Sequence, residues 1–372
     1  MTSSDTLAGG IQPRPVVAKL PRYAAGKPPV AVDGLTSYKL SSNENPLPPI
    51  PAVIEAIARQ TDFNRYPDPL SSRLRAELAA FLDVPAEDIV TGAGSLGALN
   101  QLLAAFAGRN EDGKPDEVIY AWRSFEAYPI SVGLSGAEGV PVPLADGGRH
   151  DLTAMAAAVT ARTKVILLCT PNNPTGPALA AAETEAFNRS VPSDVGVVID
   201  EAYQEFERAA DAVDGIALYR KYTNVVVLRT FSKAHGLAGL RVGYSVSNPV
   251  LTQHLRLAAT PFAVSQIAET AAIVSLQNYP QVVERVQRLM DERERVTAGL
   301  RSLGWSVPDA QGNFVWLDLG ADSTGFAELA ATQALSVRAF GGEGVRVSIG
   351  EEDANTRFLA LCANYTKAPR GS

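Results

Sequence analysis

Short apolar, β-branched runs that recur between helical stretches constrain this chain more than any other feature. They fall at Glu117–Trp122, Lys164–Thr170, Val195–Asp200, Asn224–Thr230 and Val242–Val246. A strand with one face in water alternates apolar and polar residues. These runs are apolar on both faces, which suits strands buried between two layers of helix. The intervening stretches supply helical crossovers. The expected fold class is therefore α/β, a three-layer domain with a mainly parallel sheet spanning residues 45–250.

The flanks read differently. Pro13, Pro15, Pro21 and Pro28 punctuate the start of the chain, and Pro46, Pro48, Pro49 and Pro51 follow. Such a run suits neither a helix nor a central strand and reads as an arm lying on other structure. Beyond residue 250, Val282, Val283, Val286, Leu289, Met290, Val296, Leu300 and Leu303 recur at helical spacing, with Gly304 placed to end the helix. The charged run Asp291–Arg295 reads as a solvated part of it. Strand-like pieces at Asn313–Leu319 and Gly344–Ile349 flank another helical stretch, giving a smaller α+β unit. The expected division is an arm at 1–44 joining the small domain, a large domain at 45–250 and a small domain at 251–372.

Composition narrows the function classes. The 372 residues are 46% hydrophobic and 20% charged, inside the globular range, so disorder and fibrous classes are excluded. With 33 Lys+Arg against 40 Asp+Glu the net charge is −7, which argues against nucleic-acid and membrane-surface partners. Cys169 and Cys362 lie far apart in apolar segments, which fits a reducing compartment better than a disulfide framework. Met1–Gly10 has no apolar core for a signal peptide, and the most apolar long stretch, 257–276, is interrupted by Pro261, Gln266 and Glu269. His150, His235 and His254 make no metal-ligand spacing, and no metal is expected. The expected location is cytoplasmic.

Two nucleotide motifs are declined. Gly92, Gly94 and Gly97 spell GxGxxG after the strand-like Asp88–Thr91, but the next strand ends in Tyr120-Ala121-Trp122 without the acidic residue that binds ribose hydroxyls. This weakens a nicotinamide oxidoreductase reading, yet glycines at a strand-to-helix turn still make a phosphate site. Gly108–Lys114 begins a P-loop, but Pro115 stands where a magnesium-binding hydroxyl is required, so it reads as a surface loop.

Three later strand ends carry the polar groups. Thr170-Pro171-Asn172-Asn173-Pro174-Thr175-Gly176, Asp200-Glu201-Ala202-Tyr203 and Thr230-Phe231-Ser232-Lys233 close successive strands, the last trailed by Gly239-Leu240-Arg241. In a parallel sheet these points share one edge, where α/β ligands bind. A carboxylate emerging from Val197-Val198-Ile199 is costly to bury without a cation. Singly, a buried salt bridge, a turn and a surface lysine would explain them; together with the glycine turn they indicate a site.

These blocks, with Ser42-Asn43-Glu44-Asn45-Pro46, Asn64-Arg65-Tyr66-Pro67 and Val345-Arg346-Val347-Ser348-Ile349-Gly350, make nearly the whole chain resemble the fold-type I pyridoxal-phosphate aminotransferases. The resemblance is strongest to the histidinol-phosphate aminotransferase family and its aromatic amino acid branch. It implies an aspartate-aminotransferase-like fold and a homodimer. The cofactor implied is pyridoxal 5′-phosphate, bound covalently by Lys233, which then shuttles a proton. Asp200 would pair with the ring nitrogen. Asn173 and Tyr203 would bond the phenolic oxygen, and Phe125 would stack on the ring. Gly94, Ser95, Leu96, Ser232 and Arg241 would hold the phosphate, with Thr230 as a further hydroxyl and Tyr66 arriving from the other subunit. Arg346 would grip the substrate carboxylate as a fork, with Asn43 in the substrate site. Arg338 and Tyr23 match positions used near the phosphate of histidinol phosphate. Trp122-Arg123-Ser124-Phe125-Glu126-Ala127-Tyr128, however, carries phenylalanine where the histidine-pathway enzymes commonly have tyrosine. The reading favours transamination of aromatic amino acids with 2-oxoglutarate. Histidinol phosphate is the alternative, and a non-catalytic binding protein on the same scaffold a remote one.

Overall fold

The computed structural model describes residues 13–365, so the Met1–Gly10 reading lies outside the described residues. The chain runs β1 (Tyr38–Lys39), β2 (Ile89–Gly92), β3 (Glu117–Trp122), β4 (Glu138–Pro143), β5 (Thr163–Cys169), β6 (Gly196–Asp200), β7 (Val225–Thr230), β8 (Gly243–Ser247), β9 (Phe314–Asp318), β10 (Leu335–Ser336), β11 (Arg338–Phe340) and β12 (Gly344–Ser348). A seven-stranded sheet takes the order β2-β8-β7-β6-β5-β3-β4. Pairs from β4 across to β7 are parallel, and β8 runs against both its neighbours.

The three-layer expectation holds for a physical reason visible along β5 and β6. Ile166, Leu168, Val197 and Ile199 join one apolar cluster, with Leu74, Leu78, Phe187 and Ile216 from the helices on that face. Val165, Leu167 and Val198 join the other, with Leu99, Leu102, Leu103 and Val132. Successive strand residues point to opposite faces, so a run without polar alternation feeds two cores at once.

The runs named from sequence all form strands, but β4 is not among them. Its sequence, Glu-Gly-Val-Pro-Val-Pro, carries two prolines. β4 is an edge strand whose single partner is β3. Pro141 and Pro143 are two apart and share one side of the strand, and an edge needs no donor on its outer side.

The proline-rich arm also departs from expectation. Pro15–Lys19 and Pro51–Ala58 are helices that begin on their prolines. The first turn has no use for that N–H, and the fixed φ suits it. β1 pairs with β10, and Leu40 enters a further apolar cluster with Phe314, Val345 and Phe358. That cluster covers the antiparallel sheet β11-β12-β9 and the helix Tyr279–Ser302. Within this helix the run expected to be solvated holds Arg293, only 4% exposed, which donates to the carbonyls of Phe206 and Gly312. Residues 251–277, expected in the small domain, send Leu255, Val264, Ala268 and Ala272 onto the large sheet instead.

One feature of register positions the site. Gly243 at the start of β8 pairs with both Thr230 and Gly92, and Cys169 pairs with Asp200. The carboxyl ends of β2, β5, β6 and β7 therefore reach one edge together.

Candidate active site

At that edge lies a cavity of about 340 Å³, lined among others by Lys233, Asp200, Arg346, Arg241, Phe125 and Cys169. Asp200 ends β6, with its carboxylate in the interior. Its Oδ2 accepts a hydrogen bond from the Tyr128 hydroxyl at 2.8 Å, while Oδ1 has no partner. Burial raises its pKa to about 6, opposed by the Tyr128 hydroxyl and the Ala202 amide. A buried acceptor without a donor is costly unless a ligand supplies one. The neighbouring Glu201 points the other way, as alternation requires, and pairs with Arg229 at 2.8 Å.

Lys233 follows β7. Its Nζ donates only to carbonyls, those of Ser42 at 3.2 Å and Asn43 at 3.1 Å. Burial, reinforced by the Arg346 and Arg241 cations and opposed by Glu44, lowers its pKa to about 7. An amine so placed is a nucleophile and a proton carrier near neutral pH. Its ammonium sits 5.6 Å from the centre of the Tyr203 ring.

The phosphate-type cradle forms where β2 turns into the helix Gly94–Phe106. Gly94 has φ +75°, and a Cβ there would collide with the Arg241 guanidinium. The left-handed backbone favours glycine here, and a side chain would also displace the guanidinium. Arg241 Nη1 donates to Ser232 Oγ at 2.9 Å, and Thr230 Oγ1 lies 3.0 Å from the same Oγ. Free helix N–H groups, a guanidinium and hydroxyls converge on one point, which suits a phosphate.

The opposite wall comes from β11 and β12. Arg346 is buried, donating to Asn173 Oδ1 at 2.6 Å and to the Ser41 carbonyl at 2.8 Å, while its Nε has no partner. Its hydrogen bonds go to neutral oxygens, no carboxylate among the described residues forms an ion pair with it, and burial lowers its pKa. Asn173 thereby spends its carbonyl oxygen on Arg346 and keeps its amide N–H groups for another acceptor.

Comparison with known proteins decides the family. The model for aminotransferase class I and II matches residues 36–361. This chain belongs to the class I and II aminotransferases. It is 52% identical over 349 residues to the aromatic amino acid aminotransferase of Streptomyces coelicolor, covering 94% of this chain and 96% of that one. The enzyme of the same name from Thermobifida fusca is 49% identical, covering 95% and 97%. Among solved structures, the histidinol-phosphate aminotransferase of Sinorhizobium meliloti in complex with pyridoxal-5′-phosphate superposes with TM-score 0.79 at 28% identity, over 87% of this chain and 89% of that one.

In this aminotransferase the site residues read from sequence largely converge: Tyr23, Ser95, Leu96, Tyr203, Thr230, Ser232 and Arg338 also line the cavity. One expectation needs correction. Asn43, expected in the substrate site, is fully buried behind the wall. Its side chain bonds the Tyr203 hydroxyl at 3.0 Å and Ser348 Oγ at 3.0 Å, so it positions Tyr203. Tyr66, expected to serve the other subunit, is 84% exposed and stacks on Phe262. Glu44 and Glu126 line the cavity beside its cations.

Sequence reasoning missed three supports of the aminotransferase site. Tyr128, quoted in the Trp122–Tyr128 segment without a role, is the donor to Asp200. Asn172 accepts from Ser124 Oγ at 2.7 Å and bonds His150 at 3.1 Å, and it donates to Thr175 Oγ1 at 2.7 Å, which holds Asn173 in place. His150 is correspondingly a packing residue. Glu126 is the third, bound to Arg338. No local pattern marks any of these.

Proposed function

We propose that this aminotransferase uses pyridoxal 5′-phosphate to transfer the amino group of phenylalanine, tyrosine or tryptophan to 2-oxoglutarate, giving aromatic 2-oxo acids and glutamate. One observation carries the cofactor. The unpartnered Asp200 Oδ1, the amine of Lys233 and the Gly94–Arg241 cradle open into one cavity, and they match a ring nitrogen, an aldehyde and a phosphate. The aromatic substrates rest on the full-length relatives of that name.

When bound, pyridoxal phosphate supplies an electron sink for the bonds at the amino acid's Cα. The chain's own residues do the rest. Arg346 would grip the substrate carboxylate, since no carboxylate among the described residues forms an ion pair with it. Lys233 would hold the cofactor and, once released by the incoming amine, would carry the proton from Cα to the cofactor carbon. Asp200 would keep a proton on the ring nitrogen. Tyr203 and the Asn173 amide would hydrogen-bond the phenolic oxygen. Phe125 would flank the ring, and Ser95, Leu96, Ser232, Arg241 and Thr230 would hold the phosphate.

Phenylalanine plus 2-oxoglutarate should yield phenylpyruvate and glutamate in equal amounts, followed by mass spectrometry. Lys233→Ala should give colourless protein without turnover; an active variant would overturn the assignment. Side-by-side kinetics with histidinol phosphate decide between the two substrate classes, and a preference for histidinol phosphate by orders of magnitude would sink the aromatic reading.

The proposal includes a homodimer in which Tyr66 completes the partner's phosphate site, supported by its exposure away from its own cavity. A cytoplasmic location is supported by the buried free thiol of Cys169. No helix among the described residues is long and apolar enough to cross a membrane.

A further inference from the structure

β11 and β12 place Arg338 directly opposite Arg346. Two like charges at facing positions destabilise a sheet unless something answers one of them. The two are answered differently. The hydrogen bonds of Arg346 go to neutral oxygens. Arg338 meets Glu126, which accepts from its Nη2 at 2.7 and 2.8 Å and from its Nε at 3.2 Å. Both partners line the cavity, with side-chain exposures of 15% and 22%. Arg338, in register with Arg346, thus brings Glu126 to the Arg346 side of the cavity.

We propose that Glu126 is the specificity-determining residue of this cavity. By holding Arg338 it leaves the wall beyond Arg346 without free positive charge, so an uncharged ring enters at no electrostatic cost. A substrate whose far end is a carboxylate or phosphate must first draw Arg338 away from Glu126, and then lies beside a bare carboxylate. A purely structural role for the pair is redundant, because Arg123 and Glu343 already tie the same two segments in a second ion pair. This inference rests on the transaminase reading for its substrates and on the ion-pair geometry for its mechanism.

The test compares ligands that share the gripped carboxylate and differ at the far end. Glutarate and 3-phenylpropionate binding to the cofactor-loaded enzyme is measured by calorimetry, and kcat/KM for 2-oxoglutarate and phenylpyruvate as amino acceptors is measured alongside. In Glu126→Gln the preference for the anionic far end should rise about tenfold or more in both ratios, because a bound carboxylate no longer competes. In Arg338→Gln both ratios should fall by a similar factor, since Glu126 then stands unpaired. A variant that weakens both ligands equally, or leaves the ratios unchanged, would overturn the proposal. Should Glu126→Gln fail to fold, Arg338→Gln decides it in the opposite direction. If the wild-type enzyme turns over neither oxo acid, the transaminase reading fails, while the binding ratios still decide the role of Glu126.

Discussion

At Lys233 burial changes the chemistry of an ordinary side chain. Burial and two arginines raise the cost of charging its amine, Glu44 offsets only part of it, and its pKa falls to about 7. The linkage follows in sign. Between pH 7 and the usual lysine value the unfolded chain binds a proton that native Lys233 does not. The stability of the cofactor-free protein should therefore rise with pH across that window, by up to about 1.4 kcal/mol per pH unit from this group. Urea titrations at pH 7 and pH 9 should show the rise in the wild type and lose it in Lys233→Met; equal slopes in both would refute the assignment. The residue's identity was legible in its block, Thr-Phe-Ser-Lys at a strand end. Its depressed pKa was not, because the groups that depress it arrive from residues 241 and 346.

The strand-to-helix turn at Gly92–Ser95 carries its function in its backbone. The GxGxxG spacing was legible and ambiguous: it announces a phosphate site and leaves the ligand open. The missing acidic partner at the end of β3 is what sets the nicotinamide reading aside. Gly94→Ala should keep the fold, since the turn is a local feature, yet push the Arg241 guanidinium off its place. Cofactor affinity should fall at least about tenfold, as expected when one charge-assisted hydrogen bond to the phosphate is removed. Titration of the apoenzyme with pyridoxal phosphate, with circular dichroism as the control for folding, measures it; unchanged affinity would remove Gly94 and Arg241 from the cradle. β4 and Arg293 mark what element-level patterns miss. A proline-bearing edge strand breaks the strand signature without breaking the sheet. A buried arginine in a charged helical run looks like its solvated neighbours until the carbonyls it serves are in view.

Over the whole molecule, the site lies where the apolar clusters meet. Cys169 belongs to one that backs the large sheet, and Tyr203 to the one that covers β9–β12. The net charge of −7 describes the exterior and not this junction, where Lys233, Arg241 and Arg346 line one cavity and would face anionic ligands. Such charges gain strength in a cavity that excludes water. Tyr66, Phe262 and Leu257 are exposed apolar residues on this same chain, at 84%, 41% and 84%. Sedimentation at micromolar concentration should give twice the chain mass, and Tyr66→Ala should lower phosphate-dependent cofactor retention in that dimer. A monomer with full activity would refute the shared site.

Layering, strand polarity and the order of the polar blocks were open to reading because each is a local property. A run of five or six residues shows whether both its faces are apolar, and the turn that ends it shows which chemistry it delivers. Pairings between distant segments leave no such trace. Asn43 and Tyr203 are 160 positions apart, and Glu126 and Arg338 are 212 apart. Which arginine stays free for a substrate and which is already held depended on how the chain came together, since a charge is answered by whatever packing brings beside it.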